Sequence, residues 1–275
     1  MENMQRLTIH LILFAGIFLG SFSCTEKIDW ELKYDMEPLL VVEGKVTDEA
    51  KAHEVVLSRP VEMNGEPEPV TGAVVAIYDG DRVHALEEDP RRPGTYLTDP
   101  GFAGRVGRGY QLRISYGTFR ITAVAFMREV TPFKSMRPYL VRQQPPLYEV
   151  SIHESDQPAI VRLELHWGHL PGYDTLPPEE TRALIYHYTL GSVDVNRIFA
   201  PDREHVRFPP GTIVFREKES VNPAYEEFLR GMLSETDWRG GVFDVLPGNA
   251  RTNLSEGGIG YFSAASVIRD TVVIN

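Results

Sequence analysis

Short runs of β-branched and alternating residues, each closed by glycine, proline or aspartate, constrain this chain more than any other feature. "LLVVEGKV" (Leu39 to Val46), "HEVVLSR" (His53 to Arg59), "GAVVAIYDG" (Gly72 to Gly80), "GTYLT" (Gly94 to Thr98) and "GYQLRISYGTFRITAVAF" (Gly109 to Phe126) follow in quick succession. β-Branched side chains suit a pleated, half-buried surface, and runs at this spacing belong to all-β sandwiches. In the last run Tyr110, Leu112, Ile114 and Tyr116 alternate with Gln111, Arg113 and Ser115, which sends one face to a core and the other to water. "SYGTFR" predicts a hairpin around Gly117. Residues 38–128 are therefore expected to form a β-sandwich domain.

A proline-bearing stretch, "REVTPFKSMRPYLVRQQPPLYEV", interrupts this pattern. Proline lacks the ladder donor, so residues 129–158 read as a linker and the first strand of a following region. A second β-rich domain is expected over 159–275. "AIVRLELHW" (Ala159 to Trp167), "ALIYHYTL" (Ala183 to Leu190) and "GTIVFRE" (Gly211 to Glu217) supply its strands. "NPAYEEFLRGMLSE" predicts a single helix near 222–235: Asn222 can cap it, Pro223 suits its first turn, and Glu226 and Glu227 complement the positive end of its dipole. Tyr225, Phe228, Leu229 and Met232 form its apolar stripe. The fold class is mainly β.

The first residues differ in kind. Arg6 precedes "LTIHLILFAGIFLG", then come small residues, and then Cys24, the one cysteine of the chain. The order is that of a secretory signal, and the apolar run falls short of the ~20 residues a membrane-spanning helix needs. A lone cysteine makes no internal disulfide, and an exposed thiol is a liability in an oxidising compartment. Residues 1–23 thus read as a signal peptide and 24–37 as a polar tether. Cys24, in "SFSC", stands where the acylated first residue of a bacterial lipoprotein stands. Acyl chains contribute ~0.8 kcal/mol per buried methylene, enough for two or three to hold a soluble body at a bilayer.

With 28 Lys and Arg against 39 Asp and Glu, the formal net charge is −11. That balance opposes nucleic-acid binding, which needs a basic face. Catalytic constellations are hard to find. "HWGH" offers His166 and His169 with Asp174 near, a weak candidate metal set because three convergent ligands are required; "SIHESD" adds His153 and Glu154. No GxSxG elbow surrounds a serine, and the glycine-rich "GFAGRVGRGY" lacks a following helix to bind phosphate. No cofactor is expected. Thr175 and Thr271, in "DTL" and "DTV", are candidates for O-glycosylation. In "GNARTNLSEGGIGYFSA", glycines permit unusual backbone and asparagines bond their own turns, so Asn249, Asn253 and Tyr261 form a candidate ligand loop beside the reading of a tightly wound structural loop. Trp167, Tyr173, Tyr186, Tyr188 and Phe199 fill a core or face a sugar or peptide.

Four features together resemble the Bacteroidota lipoproteins labelled domain of unknown function 4249: the signal with its cysteine, "LLVVEGKVTDE", "PVTGAVVAIYDG" with "PGTYLTDPGFAGRVGRGYQLRISYG", and "GNARTNLSEGGIGYFSAAS". The first half is also similar to prealbumin-like or immunoglobulin-like β-sandwich modules of TonB-dependent receptors. The resemblance implies an outer-membrane lipoprotein of the cell envelope working with a TonB-dependent channel, and it assigns no catalytic residue. The expectation is a non-enzymatic accessory protein for nutrient or peptide binding and uptake. A surface glycan or peptide hydrolase is the alternative, and a structural or adhesive surface protein a further one.

Overall fold

Alternating burial builds the first sheet strand by strand. The computed structural model describes residues 39–60, 67–151, 155–190, 205–236 and 251–275, all within one compact unit. Eight strands come from its first half: β1 (Leu40–Thr47), β2 (Glu54–Arg59), β3 (Glu68–Pro69), β4 (Val74–Asp79), β5 (Arg82–Glu88), β6 (Thr95–Leu97), β7 (Gly109–Tyr116) and β8 (Phe119–Phe126). On the inward face Leu40, Val42, Val55, Leu57, Ile77, Leu112, Ile114 and Ile121 are fully buried. Each such aliphatic side chain contributes ~1.5–3 kcal/mol by leaving water. Tyr96 and Tyr110 join this core without leaving their hydroxyls unpaired. Tyr96 donates to Val70 O at 2.8 Å and accepts from Ala73 N, and Tyr110 accepts from Arg105 N at 2.6 Å. β7 and β8 meet at a turn through Gly117, whose φ of 52° suits glycine.

The strand order is β14-β1-β2-β6-β5-β4-β7-β8, where β14 (Gly258–Ala265) comes from near the C-terminus. This differs from an assignment of residues 159–275 to a separate domain. β14 runs parallel to β1, Leu40 opposite Gly258 and Thr47 opposite Ala265. Gly260 makes the pairing feasible. Its φ is 99°, and a Cβ there would lie 2.3 Å from Val42 O. Residues 253–255 then close the sheet onto β8: Ser255 N donates to Thr122 O at 2.8 Å and Asn253 Nδ2 to Val124 O at 2.9 Å. The result is a nearly closed, sandwich-like β body.

The second sheet has the order β12-β11-β13-β15, built from β11 (Ala159–His166), β12 (Arg182–Thr189), β13 (Ile213–Ser220) and β15 (Val267–Val273). Val161, Leu163 and Leu165 face inward, with Trp167, Val214 and Phe208. A hairpin of β9 (Arg137–Gln143) and β10 (Pro146–Ser151) supplies Tyr148 and Val150 to that core. The proline-rich stretch, expected to hold a linker and one strand, thus holds two paired strands. In a two-stranded ribbon half of the backbone donors need no partner, so Pro138 and Pro146 cost little there.

Buried cations tie the chain before β9 to this sheet. Lys218 is 3% exposed and donates to Thr131 Oγ1 at 2.7 Å and Pro132 O at 3.2 Å. Arg216 donates to Lys134 O, stacks on Phe133 at 4.4 Å and pairs with Asp270. The two sheets meet where β14 passes into β15. Ser266 Oγ and Val267 N donate to the Asp48 carboxylate at 2.6 and 2.9 Å, and Ser220 Oγ donates to Arg128 O at 2.7 Å while accepting from Ser266 N.

The one α-helix among the described residues, α1 (Pro223–Thr236), starts as its sequence dictates. Asn222 Oδ1 accepts from Tyr225 N at 2.9 Å, and Asn222 Nδ2 donates across to Phe126 O at 3.0 Å. One side chain caps the helix and fixes it to the first sheet.

Candidate functional site

A cleft of 730 Å³ opens between the two sheets and α1. Its floor is the outer face of the first sheet. Strand pairing sets Tyr261, Glu43 and Val56 in one row across β14, β1 and β2, and Ser263 and Lys45 in the next. One wall is the α1 stripe, Tyr225, Phe228, Leu229 and Met232. The other is the outer face of the second sheet, where Ile160, Arg162, Tyr186, Tyr188, Glu217 and Glu219 point away from the Leu163–Trp167 core. Tyr225 and Phe228 each lie 4.8 Å, centroid to centroid, from the Tyr261 ring. These separations are those of favourable aromatic pairs and give the cleft a rigid inner end.

Charges line the cleft in pairs. Lys45 Nζ meets Glu219 Oε2 at 2.5 Å, bridging β1 to β13. Glu54 meets Arg92 at 2.8 Å, Glu217 meets Arg269 at 2.6 Å, and Arg162 meets Glu164 at 3.0 Å. Glu43 is exposed, and it is the cleft carboxylate without a cation partner among the described residues. The Tyr225 and Tyr261 phenols are both pushed up from their ordinary value, mainly by burial; the Glu219 carboxylate adds to this at Tyr225. Both rings stay neutral and act as hydrogen-bonding, apolar faces.

The residues expected from sequence are spread over several places. Tyr261 lies in the cleft, 6% exposed. Asn253 does not face a ligand: its amide donates to Val124 O and Phe262 O and accepts from Phe262 N, so backbone occupies it. His166 and His169 share a shallow depression with Thr181 and Phe215, where His166 Nε2 bonds Glu164 Oε1 at 2.7 Å. Asp174 turns elsewhere and accepts from Gly172 N at 3.1 Å. The described residues hold no cluster of three His, Cys, Asp or Glu side chains suited to a metal. Thr175 is exposed on a loop and Thr271 is exposed on β15, the outer strand of its sheet. Cys24, His153, Glu154, Phe199 and Asn249 lie outside the described residues.

Sequence reasoning missed Glu43, Lys45, Arg162, Glu217 and Glu219 as cleft residues, and it left the aromatics undecided. In "ALIYHYTL" both faces of the strand look apolar. The structure buries His187 and turns the tyrosines outward: Tyr186 is 51% exposed at the cleft mouth. Trp167 is core, and Tyr173 packs against the same core. No local signal separates these cases, because which face is covered depends on the distant β9–β10 hairpin.

With the cleft defined, comparison with known proteins adds one finding. The model of a family described as a domain of unknown function (DUF4249) matches residues 25–206. No curated protein matches the sequence. The matched range ends before β13, so α1, β13 and β14, which supply much of the cleft, lie beyond it.

Proposed function

We propose, for a chain that belongs to the DUF4249 family, that it is a non-enzymatic binding lipoprotein of the outer membrane, held by acylated Cys24, which takes up a nutrient or peptide ligand in the cleft and cooperates with a TonB-dependent channel. The observation that carries this reading is the 730 Å³ cleft itself, with three aromatic rings packed together at its inner end and ion-paired walls. A site of this size takes a small organic ligand, and aromatic faces with polar rims are how proteins hold sugars and peptides. The apolar run followed by Cys24, and the absence among the described residues of a helix able to cross a membrane, fit a body held by lipid.

The test is a pull-down of the tagged, detergent-solubilised protein from native envelopes, with cells fed labelled palmitate. Label on the wild type, none on Cys24→Ser, and co-purification of an outer-membrane channel are expected. An unlabelled mature chain overturns the anchor, and recovery without any channel overturns the partnership.

A further inference from the structure

The charge pairing in the cleft has a chemical consequence for what it admits. Four carboxylates line it, Glu43, Glu54, Glu217 and Glu219, and three are already matched by Arg92, Arg269 and Lys45. The remaining cation of the lining, Arg162, is matched by Glu164. Among the described residues, Glu43 is the lining carboxylate with no cation against it. Its place is specific: it stands on the floor between Tyr261 on β14 and Val56 on β2, in a cleft where the Tyr225 ring lies 4.8 Å from that of Tyr261. Lys45, two residues along the same face, is drawn away to Glu219.

We propose that the cleft recognises a positively charged group, an ammonium or guanidinium carried on an apolar or ring-shaped body, with Glu43 as its anion and the Tyr225 and Tyr261 rings as its walls. A carboxylate beside aromatic faces attracts an organic cation twice, by direct ion pairing and by the negative face of the rings. The Glu43 carboxylate repels an anion, and among the described residues the cleft lining holds no unpaired cation to receive one. Basic peptides and amino sugars both carry this chemistry. The inference rests on the ligand-binding reading of the cleft.

Isothermal titration of the purified full chain in detergent tests it, with trilysine, a glucosamine trimer, the neutral N-acetylglucosamine trimer and triglutamate as probes. At least one cationic probe is expected to bind about tenfold or more tighter than its neutral or anionic counterpart. Which of trilysine and the glucosamine trimer binds tells a peptide from a sugar. Glu43→Gln should abolish the preference and Glu43→Asp should keep part of it, with unchanged melting temperatures for both. If the neutral trimer binds as well as the cationic one, or Glu43→Gln leaves the cationic probe's affinity intact, the charge inference falls while the cleft stands. If no cationic probe binds, the inference is also overturned. The cleft itself is judged separately, by in-cell crosslinking at Tyr186.

Discussion

His53 illustrates how single side chains set conditions on this fold. It is 1% exposed, stacks edge-on against Phe102, accepts from Thr47 N through Nδ1 at 3.3 Å and donates from Nε2 to Phe102 O at 3.1 Å. Burial, with Lys51 and His84 adding repulsion, lowers its pKa from 6.5 to about 4. The unfolded chain therefore takes up this proton first. Stability from His53 is full above pH 6.5, falls as pH drops from 6.5 toward 4, and changes no further once both states are protonated. The loss over that window is on the order of 3 kcal/mol. Melting temperatures at pH 7 and pH 4.5 should fall more for wild type than for His53→Gln; equal slopes would contradict the assignment. This residue was not legible in the sequence, since "HEVVLSR" gives no hint that its first residue is sealed under Phe102.

Local chemistry was legible for elements and opaque for their partners. The cap, first-turn proline and apolar stripe of α1 are all within a few residues of one another, so the helix could be read directly. β1, β2, β4, β6, β7 and β8 announced themselves by β-branched or alternating runs, whereas β3 and β5 did not. The β9–β10 hairpin did not, because its prolines mark a ribbon edge that sequence cannot tell from a linker. Nor did the pairing of β14 with β1: the two are separated by most of the chain, and only the finished sheet explains why Gly260 must be glycine. At this scale Asn222 is the decisive residue for the cleft, since it caps α1 and bonds Phe126 O at once. Asn222→Ala should cost ~1–2 kcal/mol in urea unfolding, and it should weaken cleft binding by loosening Tyr225 and Phe228 over Tyr261. A variant of unchanged stability would show that the cap is dispensable.

In the whole molecule the two sheets share one seam, and the cleft exists because of it. β14 belongs to the first sheet and β15 to the second, with Ser266 and Val267 between them bonded to Asp48. Lys45–Glu219 and the Arg269–Glu49 pair cross the same gap. The cleft floor, its aromatic end and its outer wall thus come from residues as distant as Glu43, Tyr186, Tyr225 and Tyr261, which no window of sequence brings together. The fold class was visible because it repeats locally every few residues, whereas the site is a product of topology. The most direct measurement of the claim that this cleft holds the ligand is site-specific photo-crosslinking in the producing cells. A benzophenone amino acid replaces Tyr186 at the cleft mouth or, in a control, Val83, which is exposed on β5 and outside the cleft lining. Mass spectrometry of the purified protein should show a discrete adduct at position 186 and none at 83. Adducts at 83 alone, or none at either, would contradict the account.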